Sequence, residues 1–167
     1  MFASLFRPKI DRILFAATKA DHLHHTSHDR LEAILRLLVE RALARAQGLG
    51  AATDVIALAA VRATREAAVS QGGETMAAII GTPLASETLG GEVFDGTSEA
   101  AVFPGELPAD PRAVFRGDGL AVPEAEAAVR FLRFRPPQSN SGASNAKPLP
   151  HIRLDRALEF LLGDKLE

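Results

Sequence analysis

The sequence contains no cysteine, tryptophan or tyrosine among its 167 residues. The absence of cysteine excludes disulfides, thiolate nucleophiles and cysteine-based zinc sites. No apolar run approaches the roughly 20 residues of a membrane-spanning helix, and the N-terminus lacks the long apolar segment of a signal peptide. We therefore expect no membrane-spanning segment, and the lack of cysteine fits a cytoplasmic protein.

Neither sign of charge is in excess. The formal net charge is −2, with 47% hydrophobic and 24% charged residues, which is an ordinary balance for a globular domain. A protein that binds nucleic acid usually presents a basic surface, and this composition does not predict one. We expect no nucleic-acid partner.

The first part of the chain has the pattern of a βαβ unit. An apolar run at residues 12–17 predicts a strand, and apolar residues then recur at helical spacing over 31–42. Thr26 and Ser27 are suitable N-caps for that helix. A second apolar run at 54–61 predicts another strand. Nearly continuous apolar strands joined by a helix indicate a parallel sheet covered on both faces.

The second part is more irregular. Residues 72–126 hold many of the glycines and prolines, with short apolar runs that predict a β-rich region. Residues 128–135 predict a strand, and a final helix ends near Gly163. The predicted turns are Gly90-Gly91, Asp95-Gly96, Pro104-Gly105 and Asp118-Gly119. We expect an N-terminal domain over 1–70 and an extension over 71–167 that contains a flexible loop at 136–149.

The tetrapeptide Thr18-Lys19-Ala20-Asp21 follows the first predicted strand. Ligands bind at the carboxyl ends of strands in open α/β sheets. A carboxylate there can accept hydrogen bonds from a ring N–H and the neighbouring exocyclic amine, a pair that guanine offers and adenine does not. The aliphatic part of Lys19 can lie along the base. The same four residues also fit a solvated loop that binds nothing.

A second loop, at residues 59–62, follows the second predicted strand. Guanine-binding P-loop proteins place an [NT]-K-x-D loop after one strand and a loop of small residues after the next. Ala60 and Val61 are small enough for backbone N–H groups to approach a base carbonyl. The two loops together favour nucleotide binding over an ordinary surface loop.

The whole chain resembles the YcjX-like family, a group of bacterial P-loop NTPases related to GTPases, and is similar to its C-terminal portion. The segments that carry this resemblance follow one another in order and span nearly the whole chain: FRPKIDRILFAATKADH (6–22), FPGELP (103–108), RFRPP (133–137) and PHIRLDRALEFLLGD (150–164). The last segment is long and is the most family-specific of the four, whereas TKAD by itself is a weak motif.

The resemblance implies an α/β fold: part of a P-loop, G-domain-like parallel sheet with one βαβ unit, followed by a family-specific α+β extension. It also implies binding of GTP or GDP. By that resemblance Asp21 would recognise the base, Lys19 would pack against it and Thr18 would brace the loop. Ala60 and Val61 would lie near the base carbonyl.

The chain departs from the family in lacking the G-x-x-x-x-G-K-[ST] motif that binds phosphates and Mg²⁺, because it contains no Gly-Lys dipeptide. Mg²⁺ and NTP hydrolysis would therefore belong to a complete protein, and we expect no hydrolysis by this chain alone. We interpret it as a fragment or truncated product whose partner is the missing N-terminal half or a second copy. The alternative is a non-catalytic protein-interaction module.

Four histidines lie close together in sequence: His22, His24, His25 and His28. Imidazoles at such spacings can bind zinc or nickel. No glutamate lies between His24 and His28 as in an HExxH motif, so we expect a solvated, pH-sensitive loop and assign no metal ligand. The alternatives are adventitious metal binding and, less favoured, a physiological metal site.

A further polar group lies at the start of the last helix: His151, Arg153, Asp155 and Arg156. These residues fit a helix start that docks through Arg–Asp pairs. They equally fit a site where one arginine contacts a phosphate or a partner.

Overall fold

The computed structural model describes residues 10–71, 73–116, 132–138 and 148–166. Within these ranges the strands form a two-stranded parallel sheet, a three-stranded antiparallel sheet and a short hairpin. Helices accompany the parallel sheet and lie near the C-terminus. The prediction of a mixed α/β fold is confirmed.

The parallel sheet is the predicted βαβ unit. Strand β1 (Arg12–Ala17) pairs with β2 (Ala52–Ala57) over six residue pairs. Helices α1 (His28–Leu38) and α2 (Glu40–Gly48) form the connection between them. The predicted single helix is interrupted at Val39, although helical hydrogen bonds continue on both sides of that residue.

The start of α1 differs from the prediction in its capping. Ser27 occupies the N-cap position, but its side chain makes no cap hydrogen bond. A single 3-10 turn, His25–Ser27, leads into the helix instead. The backbone of this turn supplies the local bond, since Ser27 N–H donates to the His24 carbonyl at 2.9 Å.

Strand β2 ends at Ala57 rather than at the predicted residue 61. Leu58 N–H still donates to the Ala17 carbonyl of β1 at 2.9 Å, but the following backbone groups bond to other segments. The Leu58 carbonyl accepts from Ala20 N–H at 3.1 Å, and Ala59 exchanges two hydrogen bonds with Ile152. These contacts turn residues 58–64 into a loop that joins distant parts of the chain.

The antiparallel sheet has the order β3-β4-β7. Its strands are β3 (Arg65–Gln71), β4 (Glu74–Gly81) and β7 (Ala100–Val102), and a separate hairpin comprises β5 (Thr88–Leu89) and β6 (Glu92–Val93). The β-rich character expected for this region is confirmed. The long β3–β4 hairpin was not predicted, and its pairing runs across the expected domain boundary after residue 70.

Three of the predicted turns contain a glycine with a left-handed backbone, and one of these is Gly105, whose φ is 77°. Gly90 and Gly91 have φ values of 57° and 86° and connect β5 to β6. Gly96 has φ 80°, and the preceding Asp95 accepts backbone hydrogen bonds from the two residues that follow the glycine. The turn predicted at residues 118–119 lies outside the described residues.

The antiparallel sheet is covered by a small apolar core. Ile79, Val102, Leu132 and Phe134 are all buried and pack together. Gly81 is required here, because a Cβ at that position would lie 2.7 Å from Phe134 Cδ1. Only the end of the strand predicted at 128–135 is described, and there Phe134 forms a single antiparallel bridge with Pro83.

The C-terminal segment returns to the parallel sheet. After the short α3 (Ala113–Arg116), helix α4 (Leu154–Leu162) packs on β1. The Arg12 guanidinium donates to the Phe160 carbonyl at 2.6 Å. Gly163 has φ −51°, so the backbone continues right-handed into a 3-10 turn instead of forming a left-handed C-cap.

In the ranges that the structure describes, no helix combines the length and the apolar character needed to cross a membrane. Most of the predicted flexible loop, residues 139–147, lies outside these ranges. The division into 1–70 and 71–167 stays a prediction.

Candidate functional site

The loop after β1 contains the three residues predicted to bind a base. Lys19 has a left-handed backbone with φ 61°, and a 3-10 turn, Ala20–His22, follows it. Thr18 and Lys19 are exposed, whereas Asp21 is 4% exposed. The loop therefore presents two side chains to solvent and folds the carboxylate inward.

The loop after β2 lies against it. Ala63 N–H donates to Asp21 Oδ2 at 2.9 Å, and the Thr64 hydroxyl donates to the Asp21 carbonyl. Ala60 and Val61 are exposed residues of the same loop. Since β1 and β2 are parallel, both loops leave the carboxyl edge of one sheet, where α/β proteins bind ligands.

Two buried histidines support the first loop. His28 Nε2 lies 2.9 Å from the Ala20 carbonyl, which accepts its proton, and His28 is 4% exposed. The His22 ring meets Phe134 edge-on with centroids 5.4 Å apart. Burial lowers the pKa of His22 from its ordinary value; Asp21 opposes this shift and Lys19 adds to it. The buried ring is therefore favoured in its neutral form.

A cavity of about 420 Å³ opens beside the second loop, lined by residues 62–65, 80–82 and 135–138 with Thr97 and Glu99. Two of its arginines are already paired with carboxylates. Arg62 lies 3.1 Å from Glu66, and Arg65 lies 2.6 Å from Glu99. Neighbouring carboxylates therefore balance the charges of these two arginines, and Arg135 is the third arginine that lines the cavity.

The structure does not bring together His24 and His28, the pair with the spacing considered in the sequence; it groups His24 with His25 and a glutamate. His28 is committed to the Ala20 carbonyl, and Glu66 of β3 joins His24 and His25 instead. His25 Nδ1 lies 2.6 Å from Glu66 Oε2. Sequence reasoning missed Glu66, because it follows His25 by 41 residues and has no motif around it.

The arginines of the last helix contact the parallel unit. Arg153, whose φ is 55°, pairs with Glu32, which also accepts Ala57 N–H at 2.8 Å. Arg156 lies 2.8 Å from Asp54. Of the two alternatives for this group, the structure places these two side chains in docking contacts.

These elements define a mixed α/β protein with two hydrogen-bonded loops at the carboxyl edge of a parallel strand pair. The sequence profile of the YcjX-like family, DUF463, matches residues 1–166. The chain belongs to the YcjX-like family, as its resemblance predicted.

Two curated relatives match the chain over nearly all of its length. The "Ras-like GTPase YcjX" of Escherichia coli (strain K12) is 39% identical over 166 residues, which are 99% of this chain and 31% of the relative. The "Ras-like GTPase YcjX" of Shewanella oneidensis is 30% identical over 167 residues, 98% of this chain and 30% of the relative. The chain thus spans about a third of the length of these relatives.

Proposed function

We propose that this chain is the C-terminal part of a guanine-nucleotide-binding P-loop NTPase and supplies the base-recognition loops. The observation that carries the proposal is the bonding of the Asp21 loop to the loop after β2 at one sheet edge. The family membership and the GTPase named in both relatives support the choice of guanine. The parallel strand pair would be one side of a G-domain-like sheet.

In this proposal Asp21 binds the guanine N1–H and exocyclic amine. Its Oδ2 atom already accepts Ala63 N–H. Guanine would therefore be bound through Oδ1, or through both oxygens after the Ala63 bond lengthens. Adenine lacks this pair of donors and would leave the buried carboxylate poorly satisfied, which is the source of selectivity.

The exposed residues complete the base site. The stem of Lys19 would cover one face of the base, with Thr18 bracing the turn. Ala60 and Val61 leave the backbone of the second loop accessible to the base carbonyl. The left-handed backbone of Lys19 separates its exposed side chain from the buried Asp21, which supports this role.

The phosphates and Mg²⁺ would be bound by residues outside this chain, because the sequence contains no Gly-Lys dipeptide and so no P-loop motif. Base contacts alone give weak binding. Hydrolysis of GTP is accordingly assigned to the complete protein and not to this chain by itself.

The test is nucleotide selectivity in a chimera that joins this chain to the unmatched part of the E. coli relative. We expect GDP to bind more tightly than ADP, and Asp21→Ala to reduce the preference at least about tenfold. Asp29→Ala is the matched control, since that side chain is 93% exposed. Equal affinity for GDP and ADP in the unaltered chimera would contradict the proposal.

A second candidate is a non-catalytic interaction module. It is favoured by a group of exposed leucines on and beyond α4, which are 37–78% exposed: Leu158, Leu161, Leu162 and Leu166. Such a patch commonly marks a protein interface. The occupant would be the remaining part of the protein or a second copy. Leu161→Asp should abolish that association without affecting nucleotide selectivity, which separates the two functions.

A further inference from the structure

Three side chains that could bind a cation meet beside the Asp21 loop, and we call them the His24–His25–Glu66 cluster. His24 and His25 belong to the segment between β1 and α1, and Glu66 lies on β3. The cluster shares no residue with the proposed base site. It brings together two imidazoles and a carboxylate, a donor set that suits zinc and related transition metals.

The donor atoms are close enough for one ion. One ligand atom from each residue lies within 4.8 Å of the others. Bonds of about 2.0–2.1 Å to a tetrahedral zinc place neighbouring donors roughly 3.4 Å apart. His25 Nδ1 and Glu66 Oε2 are 2.6 Å apart, so they need to separate by less than about 1 Å to admit the ion.

The surroundings orient the ligands. Arg62 Nη2 lies 3.1 Å from Glu66 Oε1, which leaves the other oxygen toward His25. The Thr26 hydroxyl lies 3.0 Å from His24 Nδ1. Polar partners of this kind fix ligand geometry in known metal sites.

The cluster is also accessible. The Glu66 side chain is 24% exposed and that of His25 is 63% exposed. An ion can enter from solvent, and water can complete its coordination shell. Magnesium and calcium are poor candidates, because they prefer oxygen ligands and two of the three donors here are nitrogens.

We propose that the His24–His25–Glu66 cluster binds one divalent transition-metal ion of the zinc type. The bound ion would join the segment after Asp21 to β3. It would thereby clamp the base-recognition loop against the antiparallel sheet. This contact would add to the one that His28 already makes with the Ala20 carbonyl of that loop. The proposal does not depend on nucleotide binding.

Isothermal titration of the metal-free 167-residue chain with zinc chloride tests the proposal. We expect saturable binding of one zinc per chain and no comparable binding of magnesium. His25→Ala and Glu66→Gln should each weaken zinc binding at least about tenfold. His151→Ala is the matched control, because that exposed histidine lies far along the chain beside Asp155 and should leave affinity unchanged.

Cobalt(II) provides a second readout on the unaltered chain and on Glu66→Gln, with circular dichroism to confirm that each variant is folded. Visible bands of a low-coordinate nitrogen–oxygen site should form and should weaken in Glu66→Gln. Zinc affinity that is unchanged in Glu66→Gln would overturn the proposal. The proposal would also be overturned if His151→Ala reduced zinc affinity as strongly as His25→Ala, or if the unaltered chain showed no saturable zinc binding.

Discussion

The parallel unit and the antiparallel sheet are stabilised in different ways. In the parallel unit Val55, Ile56 and Ala57 of β2 are completely buried, and helices α1 and α2 of the same unit contact this strand. The antiparallel sheet is covered largely by Phe134 and Leu132, residues contributed from far along the chain. The parallel unit therefore has its own apolar interior, whereas the antiparallel sheet depends on long-range packing.

The proposed base site lies at the junction of these two regions. Asp21 belongs to the parallel unit, and its partners Ala63 and Thr64 directly precede β3. Two hydrogen bonds cross the junction at Asp21, and the His22 ring beside it packs edge-on against Phe134. The position of Asp21 thus depends on hydrogen bonds to the second loop, whereas β2 is stabilised by apolar burial.

The largest effect is expected inside the parallel unit. Ile56→Ala should lower the free energy of unfolding by about 4 kcal/mol, because it removes a buried side chain and leaves a cavity. Urea denaturation measures the loss. Leu38→Ala is the control, since Leu38 is 67% exposed and its truncation should change stability by under about 0.5 kcal/mol. Similar losses in both variants would refute the description of this interior.

A smaller effect is expected at the junction. Asp21→Ala removes the acceptor of Ala63 N–H and should cost about 2 kcal/mol. Asp29→Ala, which removes an exposed carboxylate, should be close to neutral. The same denaturation experiment compares them. A neutral Asp21→Ala would mean that the two loops are not held together by this bond.

The buried His22 should make stability depend on pH. Its pKa is lowered in the folded state by burial, so the unfolded chain binds more protons as the pH falls. Stability should therefore decrease once the pH drops below about 6.5, the ordinary value for histidine. Thermal unfolding between pH 8 and pH 5 measures this loss, and His22→Gln should reduce the slope in that range.

The control for this pH profile is His151→Gln, which replaces an exposed histidine and should leave the slope as it is. The lowered pKa of Glu66 acts in a different range. Its contribution is present above the ordinary pKa of a glutamate and is lost at lower pH. A slope between pH 8 and pH 5 that is unchanged in His22→Gln would contradict the assignment.

The smallest effect is expected where α4 docks on the parallel unit. Arg156→Ala breaks an ion pair with Asp54 in which the arginine side chain is 52% exposed, and it should cost about 0.5 kcal/mol. Arg153→Ala should cost more, because its partner Glu32 is 17% exposed and also accepts Ala57 N–H. Denaturation of both variants checks the order, and the reverse order would contradict it.

Local patterns predicted the parallel unit well. Each signal lies within a single element and needs no distant residue. These signals are the apolar run of β1, the helical spacing of α1 and the leucines of α4. The β3–β4 hairpin escaped prediction because β3 reads Arg-Glu-Ala-Ala-Val-Ser-Gln and contains only one β-branched apolar residue. Its strand conformation is selected by pairing with β4, which is a tertiary effect.

The site was predictable only in part. The sequence pointed to Asp21 and to the loop after β2, but it gave no sign that Asp21 would be buried against Ala63. It also could not bring Glu66 to His25, since 41 residues separate them. Contacts of this kind are set by how the two regions meet and leave no local pattern in either segment.

Guanine recognition by Asp21 is tested most directly by the affinity of the Asp21→Asn chimera for GDP and xanthosine diphosphate. Xanthine keeps the ring N–H of guanine but carries an oxygen in place of the amine. The amide of asparagine matches this exchanged pattern. We expect Asp21→Asn to shift the preference from GDP toward xanthosine diphosphate. A variant that stays folded and still prefers GDP as the unaltered chimera does would contradict it.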